Sequence, residues 1–207
     1  IYIANIILKK KLINESNIWV DIGSFYGGIQ GIVKSKQQDI SLILVDFNHQ
    51  LCRSYVYLKN LFPDANHMLP NKIEKMQEIK NIKKNSIMYV KVSEFDKLSN
   101  LNADLVSNFF SFGEMKRNVF FKYYESNLLN KCKNIYLINR FVSSPFFEQT
   151  YDTDLNIFDY DKNAYEQKYF DIFPMHHYFN FKRSIFGRNT KRPASSPYFE
   201  IILSKKN

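Results

Sequence analysis

Val20-Asp21-Ile22-Gly23-Ser24-Phe25-Tyr26-Gly27-Gly28 reads as a buried strand that empties into a glycine-bearing turn. Asp46, 25 residues after Asp21, closes a second apolar run, Ser41 to Asp46. The centre of that run, Leu42-Ile43-Leu44-Val45, is apolar at every position rather than at alternate ones, which fits a strand covered on both faces. Glycine lets a backbone approach a ligand or adopt positive φ, and an acid ending the next strand can accept hydrogen bonds from ribose hydroxyls. The pairing therefore points to a nucleotide-like cofactor at the switch point of an open α/β sheet. A tight turn with no ligand is the other reading.

Outward from this turn, short apolar runs alternate with stretches of helical spacing, as in strands joined by crossover helices. The strands expected are Ile18 to Ile22, Ser41 to Asp46, Ser86 to Val92, Ala103 to Asn108, Asn134 to Asn139 and Tyr198 to Ser204. The helices expected are Ile1 to Ile13, Gly28 to Lys36, His49 to Phe62, Ile73 to Lys80 and Phe112 to Leu129. In the last of these, Met115, Val119, Tyr123 and Leu128-Leu129 share an apolar stripe, and Ser111 precedes Glu114 with the spacing of a capping box. The helix starting near Gly27 would aim its free amides at the ligand. One domain over 1–207 is expected, with an N-terminal helix in 1–14 and an aromatic, acidic insert at 146–181 as an acceptor lid. The first residue is Ile, which suggests a missing N-terminal part.

No apolar run approaches the ~20 residues that span a bilayer, and no signal-peptide pattern opens the chain, so a cytoplasmic location without a membrane span is expected. Cys52 and Cys132 stand 80 residues apart outside any Cys/His cluster, and are expected to be buried free thiols. A net charge of +9 raises the question of a polyanion partner. The distribution argues against one. Residues 146–180 hold seven acids against Lys162 and Lys168, while residues 182–207 hold seven bases against Glu200. Nucleic acid is thus an unfavoured partner, and the oligomeric state is left open.

A dinucleotide brings pyrophosphate to the turn, where an acid two residues before the first glycine is unwelcome and a full G-x-G-x-x-G is preferred. An acid-x-Gly turn suits instead a cofactor with a positive charge and an amino-acid moiety, and S-adenosylmethionine has both.

VDIGSFYGG, LVDFNHQLCRSYVYLKNLFP, ADLVSNFFSFGEM and NIYLINR, in that order, resemble the bacterial sugar O-methyltransferase family over roughly residues 15 to 145. The resemblance implies a Rossmann-like class I methyltransferase fold, a mainly parallel sheet with helices on both faces and an antiparallel C-terminal strand. It also implies methylation of a saccharide hydroxyl, as in surface-polysaccharide biosynthesis. Carried over by position, Asp21, Gly23 and Tyr26 flank the methionine part of the cofactor, Asp46 the ribose, and Ser93 with Glu94 the adenine; Gly27, where the helix begins, is a further cofactor-binding position. Ser24 offers a hydroxyl to the methionine carboxylate. Such turns commonly carry a second glycine two residues after the first, where this chain has Phe25.

Methyl transfer to a hydroxyl needs positioning and, where required, a general base. His176 and His177 qualify because an imidazole titrates near neutrality, and Glu114 qualifies if it is not merely a cap. Asn108 ends a strand where an amide can orient cofactor or acceptor. Asn139 and Arg140 end the next, within reach of acceptor hydroxyls or an acidic sugar group, and Tyr151 is a substrate contact in the aromatic insert. A divalent cation is possible through Asp152-x-Asp154 or Asp159-x-Asp161, but no third ligand is identifiable and none is expected. Two rivals stay open: an RNA or nucleotide acceptor, and a degenerate, non-catalytic partner subunit.

Overall fold

The computed structural model describes residues 1–14, 17–143, 155–174, 181–183, 189–191 and 197–206. Its elements run α1 (Tyr2–Lys9), β1 (Ile18–Ile22), α2 (Gly28–Lys34), β2 (Ser41–Asp46), α3 (Asn48–Leu61), β3 (Asn66–Met68), α4 (Pro70–Ile73), β4 (Ser86–Lys91) and β5 (Leu105–Phe109). They continue with α5 (Arg117–Tyr124), α6 (Asn127–Lys131), β6 (Asn134–Arg140), β7 (Tyr165–Ile172), β8 (Phe181–Arg183), β9 (Asn189–Lys191) and β10 (Tyr198–Lys205).

Eight strands form one sheet in the order β3-β4-β2-β1-β5-β6-β10-β7. The first six are parallel, with Val20 in register with Ile43 on one side and Val106 on the other. β10 runs antiparallel between β6 and β7. This is the doubly wound architecture that the sequence implies, antiparallel final strand included.

Apolar residues at successive strand positions face opposite sides, and both sides are covered. Val20, Ile43, Val45, Met88 and Val106 pack with Phe112, Phe120 and Leu128 beneath α5 and α6. Trp19, Leu42, Leu44 and Tyr89 pack with Ile7, Val33 and Leu58 beneath α1, α2 and α3. At about 1.5–3 kcal/mol for each large aliphatic side chain removed from water, these layers are what hold β1 and β2 in place beneath the turn.

Several elements differ from expectation. The helix foreseen over Ile73 to Lys80 is instead the single turn α4, started by Pro70 at its first position. The long helix foreseen from Phe112 to Leu129 is a 3-10 turn (Phe112–Glu114) followed by α5 and α6, because Lys116 and Ser126 are extended and each begins a new helix. Ser111 makes no side-chain cap, so the capping box expected with Glu114 is absent. Such a box does form at Asn156 and Asp159, ahead of the 3-10 turn Ile157–Tyr160. Within the 146–181 insert, residues 165–172 build the edge strand β7 rather than cover the sheet. Cys132 is buried and free as expected, whereas Cys52 is exposed. Among the described residues, no helix is long and apolar enough to cross a membrane.

Candidate functional site

The chain leaves β1 toward β2 on one side and later returns to place β5 on the other, so the strand order reverses at β1 and a crevice opens at the carboxyl ends. A cavity of about 820 Å³ lies there, walled by the ends of β1, β2 and β5, by Val92 beyond β4, and by Glu114 to Tyr123. Its size falls in the range of small-molecule sites.

The turn after β1 shapes its floor. Gly23 has φ +75°, and a Cβ there would lie 2.2 Å from Ser111 Oγ, so both backbone and space require glycine. Gly27, at φ +81°, starts α2 with Leu58 Cδ1 only 3.0 Å from where its Cβ would be. Between them Phe25 also takes a left-handed backbone, φ 52°. The position where similar turns carry glycine thus does demand a glycine-like conformation, and phenylalanine holds it at a cost of about 1–2 kcal/mol. Two bonds keep it there: Phe25 N donates to Asp46 Oδ2 at 2.7 Å, and Ser54 Oγ donates to Phe25 O at 2.6 Å. The rings of Phe25 and Tyr26 meet edge to face and stand half-exposed at the cavity mouth.

Asp21 is 2% exposed and lies inside a buried network. Trp19 Nε1 donates to Ser107 Oγ at 2.7 Å, Ser107 donates to Asp21 Oδ1, and Gln30 Nε2 donates to Asp21 Oδ2. Burial pushes the Asp21 carboxyl up to about 8, outweighing the Ser107 and Gln30 bonds, and the nearby Asp46 charge adds to the rise. Asp46 accepts from Phe47 N and Phe25 N, both at 2.7 Å. These bonds oppose the upward pull of burial on its carboxyl. A carboxylate has about four acceptor sites, so Asp46 retains capacity for further donors from the cavity it lines. Ser24 Oγ and Gln30 Oε1, buried in the same wall, have no partner.

Asp21, Gly23, Ser24, Tyr26, Asp46 and Glu114 line the cavity together. Burial raises the Glu114 carboxyl, the Arg140 charge opposing. Asn108 and Asn139, foreseen as cofactor and acceptor contacts, are instead fully buried behind the wall. Asn108 Nδ2 donates to Ile22 O at 2.7 Å, its Oδ1 accepts from Phe112 N and from Asn139 Nδ2 at 3.0 Å each, and Asn139 Oδ1 accepts from Gly113 N. Both amides are spent pinning the turns after β1 and β5. Arg140 lies off the cavity, donating through Nε to Tyr198 OH at 3.0 Å. Ser93 is exposed and Glu94 pairs with Lys97, so Val92, not they, lines the site.

His176, His177, Tyr151, Asp152 and Asp154 lie outside the described residues. Asp159 is paired with Arg117 and occupied in its capping box. Among the described residues, no group of three or more metal-ligating side chains comes together.

Sequence reasoning missed Gln30, Ser107 and Tyr123. Gln30 shares the inward face of α2 with Val33 and Lys34, an i, i+3, i+4 set that helical spacing alone could have flagged. Ser107 and Tyr123 carry no such signal.

Solved structures with this architecture include the magnesium protoporphyrin IX methyltransferase of Synechocystis PCC 6803 with bound S-adenosylmethionine, at 7% identity and a TM-score of 0.59, covering 99% of this chain and 77% of that one. The precorrin-6y C5,15-methyltransferase of Geobacter metallireducens GS-15 is 14% identical at a TM-score of 0.54, covering 99% and 88% of the two chains. An rRNA methylase of Streptococcus thermophilus is 10% identical at 0.54, covering 100% and 96%. No protein-family model and no curated protein matches the chain. The likeness establishes the class I methyltransferase fold.

Proposed function

We propose that the protein is an S-adenosylmethionine-dependent methyltransferase acting on a hydroxyl of a saccharide. One observation carries the cofactor reading. The cavity is lined by three acids, Asp21, Asp46 and Glu114, and by no Lys, Arg or His among the described residues, on a chain whose net charge is +9. That lining repels pyrophosphate and suits a ligand with positive charge. The orphaned oxygens of Ser24 and Gln30 supply unused hydrogen-bonding capacity where the amino-acid part would lie, so the residues present fit the group. The solved neighbours add a cofactor precedent, since one is described with S-adenosylmethionine bound.

Asp46 is the residue to hold the ribose hydroxyls, Asp21 and Ser24 the amino-acid moiety, and Val92, Met115 and Tyr123 offer an apolar bed for the base. When bound, the cofactor supplies an electrophilic methyl group on a sulfonium. The chain itself orients the acceptor and excludes water around it. Glu114, its carboxyl raised by burial, is the described group able to accept the proton of an attacking hydroxyl. His176 and His177 are further candidates for that role.

The saccharide acceptor is supported by the family resemblance and by the half-exposed rings of Phe25 and Tyr26 at the mouth, which suit sugar C–H faces. A methyl-transfer assay with labelled cofactor across nucleotide sugars, oligosaccharides and RNA tests it. Label in a saccharide supports the reading, and label only in RNA refutes it.

A further inference from the structure

Arg140 ends β6 and lies opposite Tyr198, the first residue of β10. Its Nε donates to Tyr198 OH at 3.0 Å, and its guanidinium carbon sits 5.5 Å from the centroid of the Tyr198 ring. Tyr198 is buried and meets Phe110 edge to face at 5.4 Å, and Phe110 lines the cavity. On its other side Arg140 backs the 3-10 turn that ends in Glu114, another cavity residue, since a Cβ at Gly113 would lie 3.3 Å from Arg140 N. Burial raises the Glu114 carboxyl and the Arg140 charge opposes that rise, so the two groups are neighbours. Yet among the described residues no acid forms an ion pair with Arg140. The guanidinium is half-buried and held through Nε by a neutral phenol, which leaves both Nη nitrogens to present a fork. A fork fixed in advance matches a planar oxyanion in bidentate fashion.

We propose that Arg140 is an anion subsite for the acceptor, and that the saccharide methylated beside Glu114 carries a carboxylate, as a uronic acid does. This rests on the methyltransferase reading above. A carboxylate fits better than a phosphate because acids line the adjoining cavity. One guanidinium balances the single charge of a carboxylate, whereas a phosphate ester brings about two toward the same acids. Arg140 then holds the carboxylate while Glu114 faces the reacting hydroxyl.

Initial rates of methyl transfer from labelled S-adenosylmethionine test this on two matched acceptors: a pool of uronate-bearing oligosaccharides, and the same pool with its carboxyl groups reduced to alcohols. Wild type should methylate the acidic pool about tenfold faster at subsaturating acceptor. Arg140→Gln should lose that preference through a higher KM for the acidic pool, with S-adenosylhomocysteine affinity within about twofold of wild type. Arg140→Lys, which keeps the charge without the fork, should recover part of it. Equal wild-type rates on the two pools overturn the proposal, whether or not the variants fold, and leave the saccharide reading standing. Label in the reduced pool alone, or in neither, overturns it too. So does a parallel loss on both pools in Arg140→Gln, which would make Arg140 a support of the β6 end. If wild type does not bind S-adenosylhomocysteine, the cofactor reading falls and this inference falls with it.

Discussion

Phe25 donates its backbone N–H to Asp46 Oδ2 at 2.7 Å while holding φ at 52°, so a strained residue in the turn after β1 fixes the acid that ends β2. These two parts of the cavity wall are thereby one unit. Where similar turns carry glycine, Phe25 takes a left-handed backbone and adds an aromatic ring to the cavity lining.

Phe25→Gly removes the left-handed strain but adds freedom to the unfolded chain, and the two effects nearly cancel. The expected change in unfolding free energy is within about 1 kcal/mol. Phe25→Val puts a β-branched residue in that conformation and should destabilise by about 1–3 kcal/mol. Urea denaturation of both variants checks this; equal stabilities for glycine and valine would contradict it.

Asp46→Ala should weaken S-adenosylhomocysteine binding tenfold or more, about 1.4 kcal/mol, in a protein that still folds cooperatively. Unchanged affinity would remove Asp46 from the site.

Asp21 gives a pH signature. Its carboxyl lies near 8 in the folded protein against 3.8 for the free group, so between those values the folded state holds a proton the unfolded chain has lost. Stability from this group is therefore full below about 4 and declines as pH rises toward 8. Asp21→Asn should flatten that decline in urea unfolding measured at intervals from pH 5 to 8. Binding of a cationic ligand beside the ionised carboxyl should strengthen as pH rises over the same range. A wild-type stability profile parallel to that of Asp21→Asn would refute the assignment.

Glu114→Gln should lower turnover about a hundredfold and leave S-adenosylhomocysteine affinity within about twofold. His176→Gln and His177→Gln, assayed beside it, decide among the three candidates: the base is the one whose loss removes turnover but not binding. A wild-type rate for Glu114→Gln excludes it.

The strands were legible because apolar runs such as Leu42 to Val45 have few ways to be buried other than within a covered sheet. The break between α5 and α6 was not, since the apolar stripe through Tyr123 and Leu128 continues across extended Ser126. β7 escaped notice because an exposed edge strand, here Glu166, Gln167 and Lys168 among aromatics, lacks the apolar period of a buried one. Asp21, Gly23, Ser24 and Asp46 could be placed from the turn and the strand end. Asn108 and Asn139 could not, because a strand-end amide can face either the ligand or the loops behind it, and only packing against Phe112 and Gly113 decided which. The inward face of α2 that carries Gln30 is legible from helical spacing, whereas its bond to Asp21 depends on how α2 packs beside β1.

Calorimetric titration of the wild-type protein with S-adenosylhomocysteine, run beside nicotinamide dinucleotides, tests the central claim most directly. The acidic cavity predicts saturable binding of S-adenosylhomocysteine, with a Kd on the order of micromolar, and no heat from the dinucleotides. Binding of a dinucleotide, or no binding of S-adenosylhomocysteine, would contradict it.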